Sequence, residues 1–169
     1  ISELIQEGII KDSNIFYHDL DAFQLVPFDF PMMKGDIGGC IYPGGDGHSV
    51  QCGVLYTKTS AGDIWKDMVD KMKTNVFQTG NDEVIIRGYV KLNNAYSHRF
   101  TGLDTSYNVG MTSFKERVNE AIGDLKVCHF HPDDTKQYKC MVEGVNDINK
   151  KVIDERLLSI LDSHNLLAK

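Results

Sequence analysis

Five residues of this chain are of types that hold metal ions and sit at spacings that let them converge: Asp19, Asp21 and Asp46, and the pair His129 and His131. Carboxylates two apart on an extended run share a face. Joined by an acid from a neighbouring hairpin, they can hold Mg²⁺ at ~2.1 Å, where the ion neutralises charge on a transferring phosphoryl group. His129 and His131 likewise share one face of a strand and can both reach one Zn²⁺ at ~2.0–2.1 Å, with a third ligand supplied from elsewhere. A second constellation binds by charge and stacking. From Val84 to Leu103 there is no acidic residue, and there Arg87, Tyr89 and Lys91 alternate along one face and join Arg99 as a site for an anionic cofactor, a phosphate or a single nucleic-acid strand.

These residues depend on the elements that carry them. Asn14 to Val26 reads as the strand bearing Asp19 and Asp21, and Val84 to Leu92 as the strand bearing Arg87, Tyr89 and Lys91, with Val84, Ile86 and Val90 on its other face. Asp46 falls in Pro43-Gly44-Gly45-Asp46-Gly47, a turn between two runs able to extend, so Cys40 to Tyr56 is expected to be a hairpin. His131 opens a similar turn within 125–142. Helices are expected at the first ten residues, where Ile1, Leu4, Ile5 and Ile9 form a stripe, and after Ser60. There Ser60 and Asp63 have capping-box spacing, and Ile64, Trp65, Met68, Val69 and Met72 line one side. Two further helices follow Ser113, with its Glu116, and Asp147.

The two hairpins share a skeleton that includes all four cysteines, 88 positions apart (128 − 40 = 88): Gly35-Asp36, Cys40, Asp46, Cys52 and Val54 recur as Gly123-Asp124, Cys128, Asp134, Cys140 and Val142. Six identities in the twenty positions 35–54 point to an internal duplication. The expected fold is therefore α+β. An antiparallel sheet carries helices on one face, in one domain over 1–169 made of two hairpin-helix halves, about 14–80 and 95–169. Cys40 facing Cys52 and Cys128 facing Cys140 could form disulfides. Equivalent buried core positions account for the same pattern, because free cysteine packs as a small apolar side chain.

Two short resemblances bear on the metal candidates. Phe16-Tyr17-His18-Asp19-Leu20-Asp21-Ala22-Phe23 resembles the first metal-binding strand of palm-type polymerases and diguanylate cyclases, and Gly44-Gly45-Asp46 resembles the Gly-Gly-Asp turn of the cyclases. That likeness implies divalent-metal-dependent phosphoryl or nucleotidyl transfer. Only 24 positions separate Asp21 from Gly45 (45 − 21 = 24), with Pro27 and Pro31 between them, where the palm fold places a helix and another strand. Cys128-His129-Phe130-His131 resembles the His-x-His-x-Asp-His run of metallo-β-lactamase-type hydrolases, but Asp134 stands where the final His belongs.

Composition narrows the classes. With 41% hydrophobic and 25% charged residues the chain has the make-up of a globular protein. A net charge of −6 makes nucleic acid an unfavoured partner and argues against an anionic membrane surface. No apolar run reaches the ~20 residues of a membrane span. Four cysteines are too few for a disulfide scaffold, which points to a reducing, cytoplasmic setting. The stripe Ile1, Leu4, Ile5 and Ile9 and the closing Leu166-Leu167-Ala168 offer apolar surface for another protein or a second copy. The expectation that follows is a non-enzymatic binding or assembly module working by protein contact or self-association, with the metal enzyme and the anion binder as rival readings.

Overall fold

The structure, a computed structural model, describes residues 1–20, 22–42, 49–73, 86, 88, 96–110, 121–129, 159, 162, 163 and 165. It is a mixed α+β fold, and the chain forms two compact units. The first comprises Ile1–His18 and Asp29–Leu103, and the second Asp19–Phe28 and Asp104–Lys169.

The first unit is built on β1 (Asn14–His18), β3 (Ile37–Tyr42), β4 (Ser49–Val50), β5 (Val54–Lys58) and β6 (Phe100–Leu103), with β2 (Ala22–Gln24) belonging to the second unit. Strand order is β1-β5-β3-β4, all antiparallel, and β6 adds to β3 in parallel. Residues Val54 to Thr57 of β5 are all buried, so both faces of this sheet are covered. On one face α2 (Gly62–Lys73) sets Ile64 and Met68 against Ile37, Val50 and Leu55. On the other, Tyr56 stacks on Phe16 with centroids 5.1 Å apart and meets Phe30 edge-on at 5.7 Å. Close packing there needs Gly38, because a Cβ at that position would fall 2.3 Å from the Met33 sulfur.

The second unit has a three-stranded sheet in the order β2-β8-β7, where β7 is Val109–Gly110 and β8 is Val127–His129. β8 is antiparallel to β2 and parallel to β7. A one-turn 3₁₀ segment, Thr105–Tyr107, leads into β7 and is capped by Asp104, whose carboxylate accepts from the Ser106 amide at 2.9 Å.

Several expectations change. The single strand over 14–26 is two strands in different units, broken after His18 where Asp19 and Leu20 leave the ladder. The first helix, α1, covers only Ser2–Gln6; Gly8, at φ +68°, turns the chain beyond it, and Ile5 lies against Gly62 of α2. Ser60 does not cap α2. It sits in a 3₁₀ turn, and its hydroxyl donates to Asp36. Ile86 is α-helical and Gly88 lies in a π-helical turn, so the strand expected over 84–92 is absent at its two described positions. Ile86 instead joins the core beneath α2.

The internal duplication is not shown. β3 and β4 form the first hairpin, whereas of the second only Val127–His129 is described and Cys140 lies outside the described residues. Cys40, Cys52 and Cys128 are buried free thiols. The Cys40 carbonyl accepts from the Gln51 amide at 3.2 Å, and Cys52 has left the ladder to enter the core under α2, so the cross-strand disulfide does not form.

Candidate functional site

Within the second unit, the turn that Asp19 opens and the end of β8 bring together two of the residues expected to bind metal, one from each of the two sets. Asp19 follows β1 directly and opens a turn in which its carbonyl accepts from the Ala22 amide at 3.1 Å. Ala22 begins β2 and is in register with His129, the last residue of β8. On the far side of His129 its register partner is Gly110 of β7. Both neighbouring strands thus present a methyl group or nothing beside the imidazole. The Asp19 carboxylate reaches this gap, with Oδ2 at 3.7 Å from His129 Nε2.

That separation exceeds a hydrogen bond, which closes by ~3.2 Å. Two donors bound to one divalent ion at ~2.1 Å, with angles between 90° and tetrahedral, stand roughly 3.0–3.4 Å apart. A shift of a few tenths of an ångström in the Asp19 side chain, 41% exposed, brings it to that spacing, while the His129 side chain, 4% exposed, is held by the sheet. A carboxylate oxygen beside a fixed imidazole nitrogen is a donor set suited to a divalent transition ion. Among the described residues no third His, Cys, Asp or Glu completes a group of three. Asp21, Asp46 and His131 lie outside the described residues, as do Arg87, Tyr89 and Lys91.

In the palm fold the acid-bearing strand lies beside the Gly-Gly-Asp hairpin, whereas here β1 is bonded to β5, which separates it from β3 and β4. Arg99 is committed elsewhere. Its Nε donates to Asp36 Oδ2 at 2.6 Å, its two terminal nitrogens to the Asp63 carboxylate at 2.6 and 2.9 Å, and Nη2 also to the Ser60 carbonyl at 2.8 Å. A guanidinium with these bonds has few donors left for a phosphate, and Arg99 acts as a clasp between α2 and the start of β3. The hydrogen bonds from Arg99 hold Asp63 below the usual carboxylate range. Burial raises the Asp36 pKa, but hydrogen bonds from Ser60 and Arg99 and the charges of Arg99 and Lys58 outweigh it, and the net shift is downward.

The thiols are poor nucleophiles. Burial pushes Cys128 up to about 12, so it stays protonated at any physiological pH. One residue with a claim on chemistry gave no signal in the sequence: Asn108, at the entry to β7, is fully buried, and neither its amide nitrogen nor its amide oxygen has a hydrogen-bond partner among the described residues. A lone asparagine in a run of Ser, Tyr and Asn reads as loop. Only its burial marks it out.

No protein-family model and no curated protein sequence matches the chain. Its fold does match solved structures. It is similar to the glycosyltransferase involved in glycosylation of the major capsid of PBCV-1, with a TM-score of 0.54 and 17% identity over 76% of this chain and 67% of that one. It is also similar to the glycosyltransferase GlyE of Streptococcus pneumoniae TIGR4, with a TM-score of 0.55 and 15% identity over 98% of this chain and 46% of GlyE. The apo form of GlyE gives 0.54 and 16% over 95% and 44%. The chain therefore spans two thirds of the first of these proteins and under half of the second.

These neighbours are enzymes, and they overturn the expectation of a non-enzymatic binding or assembly module and its emphasis on protein contact and self-association. The amino-terminal stripe that supported it is partly used within the fold, where Ile5 packs on α2. Phosphoryl or nucleotidyl transfer, metallo-hydrolysis and single-strand nucleic-acid binding do not match the neighbours either. Among the described residues no helix is long and apolar enough to cross a membrane.

Proposed function

We propose that the chain carries part of a glycosyl-transfer site, centred on Asp19 and His129, that takes a sugar activated by a diphosphate leaving group. The observation that carries this reading is the 3.7 Å approach of the Asp19 carboxylate to His129 Nε2 between the small residues Ala22 and Gly110. The glycosyltransferase folds of the neighbours support it. In the reaction an acceptor hydroxyl bonds to the anomeric carbon. The bond from that carbon to the diphosphate oxygen breaks with its electron pair, and the hydroxyl proton passes to a base. Asp19 and His129 would hold a divalent cation, which would supply charge neutralisation for the departing diphosphate. Asp21, two positions from Asp19 in the sequence, is the acid we assign as a further ligand.

The residues have separate tasks. His129, paired through its backbone on both sides, would give the ion a rigid donor, and Asp19, on the turn, one that can adjust. The test is release of nucleoside diphosphate from a panel of nucleotide sugars with Mn²⁺ by the full chain. Release from at least one donor is expected, falling about 100-fold or more in Asp19→Asn, since the ion is worth several kcal/mol to the transition state. If no donor in the panel is bound or cleaved, or if Asp19→Asn keeps the full rate, the reading fails.

A further inference from the structure

The second unit holds a buried amide whose chemistry points beyond the cation. Asn108 is wholly enclosed, and among the described residues both its side-chain nitrogen and its side-chain oxygen lack partners. Its backbone is fixed: its amide donates to the Thr105 carbonyl at 3.1 Å, closing the 3₁₀ turn, and its φ of −165° makes it the first extended residue before β7. Side chains alternate along extended backbone, so Asn108 shares a face with Gly110. Gly110 is in register with His129, and Val109 with Cys128, so Asn108 stands on the His129 face, one step further from the strand ends.

A carboxamide buried with both ends unmet costs stability, and a native fold keeps one when something else completes it. The amide's two ends define what that is. A cation would satisfy only the oxygen. A phosphate oxygen would satisfy only the NH₂ group. A hydroxyl accepts from the nitrogen and donates to the oxygen, and so completes both. Resting on the glycosyl-transfer reading above, we propose that Asn108 is a sugar-binding residue, whose carboxamide pairs with a hydroxyl of the donor's sugar ring on the side of His129 away from the diphosphate.

The experiment compares a nucleotide sugar that binds the wild-type chain with its bare nucleoside diphosphate, both with Mn²⁺, by calorimetric titration of the wild type, Asn108→Leu and Asn108→Asp. Loss of a hydroxyl pairing with both ends of the amide should weaken the nucleotide sugar by about 10- to 100-fold in Asn108→Leu and leave the nucleoside diphosphate within about twofold. Asn108→Leu should also melt no lower than the wild type without ligand, since two unmet polar atoms are removed. If it does not fold, Asn108→Asp, of the same shape with the donor gone, carries the comparison. Equal weakening of both ligands, or of neither, overturns the proposal, the second result leaving the amide to a buried water. A wild type that binds no nucleotide sugar is a different failure, that of the glycosyl-transfer reading itself, and the inference falls with it.

Discussion

Asp19 and His129 lie 110 positions apart (129 − 19 = 110), and each is recognisable in the sequence as a residue able to hold a metal. Their meeting is not. It depends on the chain leaving the β1 ladder after His18 and on Ala22 falling in register with His129, and a strand's register with a distant partner is a property of the whole sheet. The cysteines were more legible, because their residue type alone favours burial. With Cys40, Cys52 and Cys128 all at or below 2% exposure and Cys128 pushed up to about 12, these thiols should react with a thiol reagent only as the protein opens. Under native conditions the three are expected to label slowly, and denaturant should release them. Rapid labelling of Cys128 in the folded protein would contradict its burial.

At the scale of elements, α2 shows what periodicity carries and what it omits. The stripe through Ile64 and Met68 gives the helix and its buried face correctly, because spacing and apolarity are local. Its start is displaced, because Ser60 and Asp63, which look like a capping box, are drawn to Asp36 and Arg99 by residues the local pattern does not contain. The segment around Ile86 fails for a related reason: Val, Ile and Tyr favour strands, yet Ile86 is helical and fills the core beneath α2. Trp65 tests the packing of α2. It is half-buried against that core, and its indole nitrogen donates to Thr57 Oγ1 at 3.0 Å, where Thr57 is fully buried. Trp65→Ala should cost about 3 kcal/mol in denaturant unfolding, near the low end for a large core truncation because the ring is only partly enclosed. Trp65→Phe should lose less, keeping the packing and giving up the bond. An unchanged midpoint in Trp65→Ala would mean that the ring contributes nothing to the fold.

For the molecule as a whole, the Arg99 clasp ties segments that are distant in sequence. Asp36 precedes β3, Ser60 lies in the 3₁₀ turn before α2 and Asp63 in the first turn of α2, and Arg99 leads into β6, so one guanidinium fixes three approaches to the first sheet. The Arg99 carbonyl also accepts from the Asp36 amide at 2.7 Å, so tightly that a Cβ on Gly35 would fall 2.0 Å from that oxygen. Asp36 and Arg99 are about one-fifth exposed, whereas Asp63 is 59% exposed and screened, so the Asp36 bond holds most of the stabilisation. Arg99→Leu should then cost about 2 kcal/mol at pH 7, the scale of a hydrogen bond between charged groups. The acid dependence follows from direction. Both carboxyls are depressed in the folded state, so their contribution is complete above the unfolded carboxyl pKa of ~3.9 and is lost as the pH falls through the lower folded values. Removing Arg99 withdraws the largest cause of the depression at Asp63 and, at Asp36, a hydrogen bond and a charge that act beside the Ser60 bond. The stability gap between the wild type and Arg99→Leu should therefore be widest from pH 5 to 7 and should narrow steadily below pH 4, a comparison made by melting both proteins across that range. A gap that stays constant down to pH 2 would show that Arg99 acts through the packing of its stem, with the ion pairs contributing nothing.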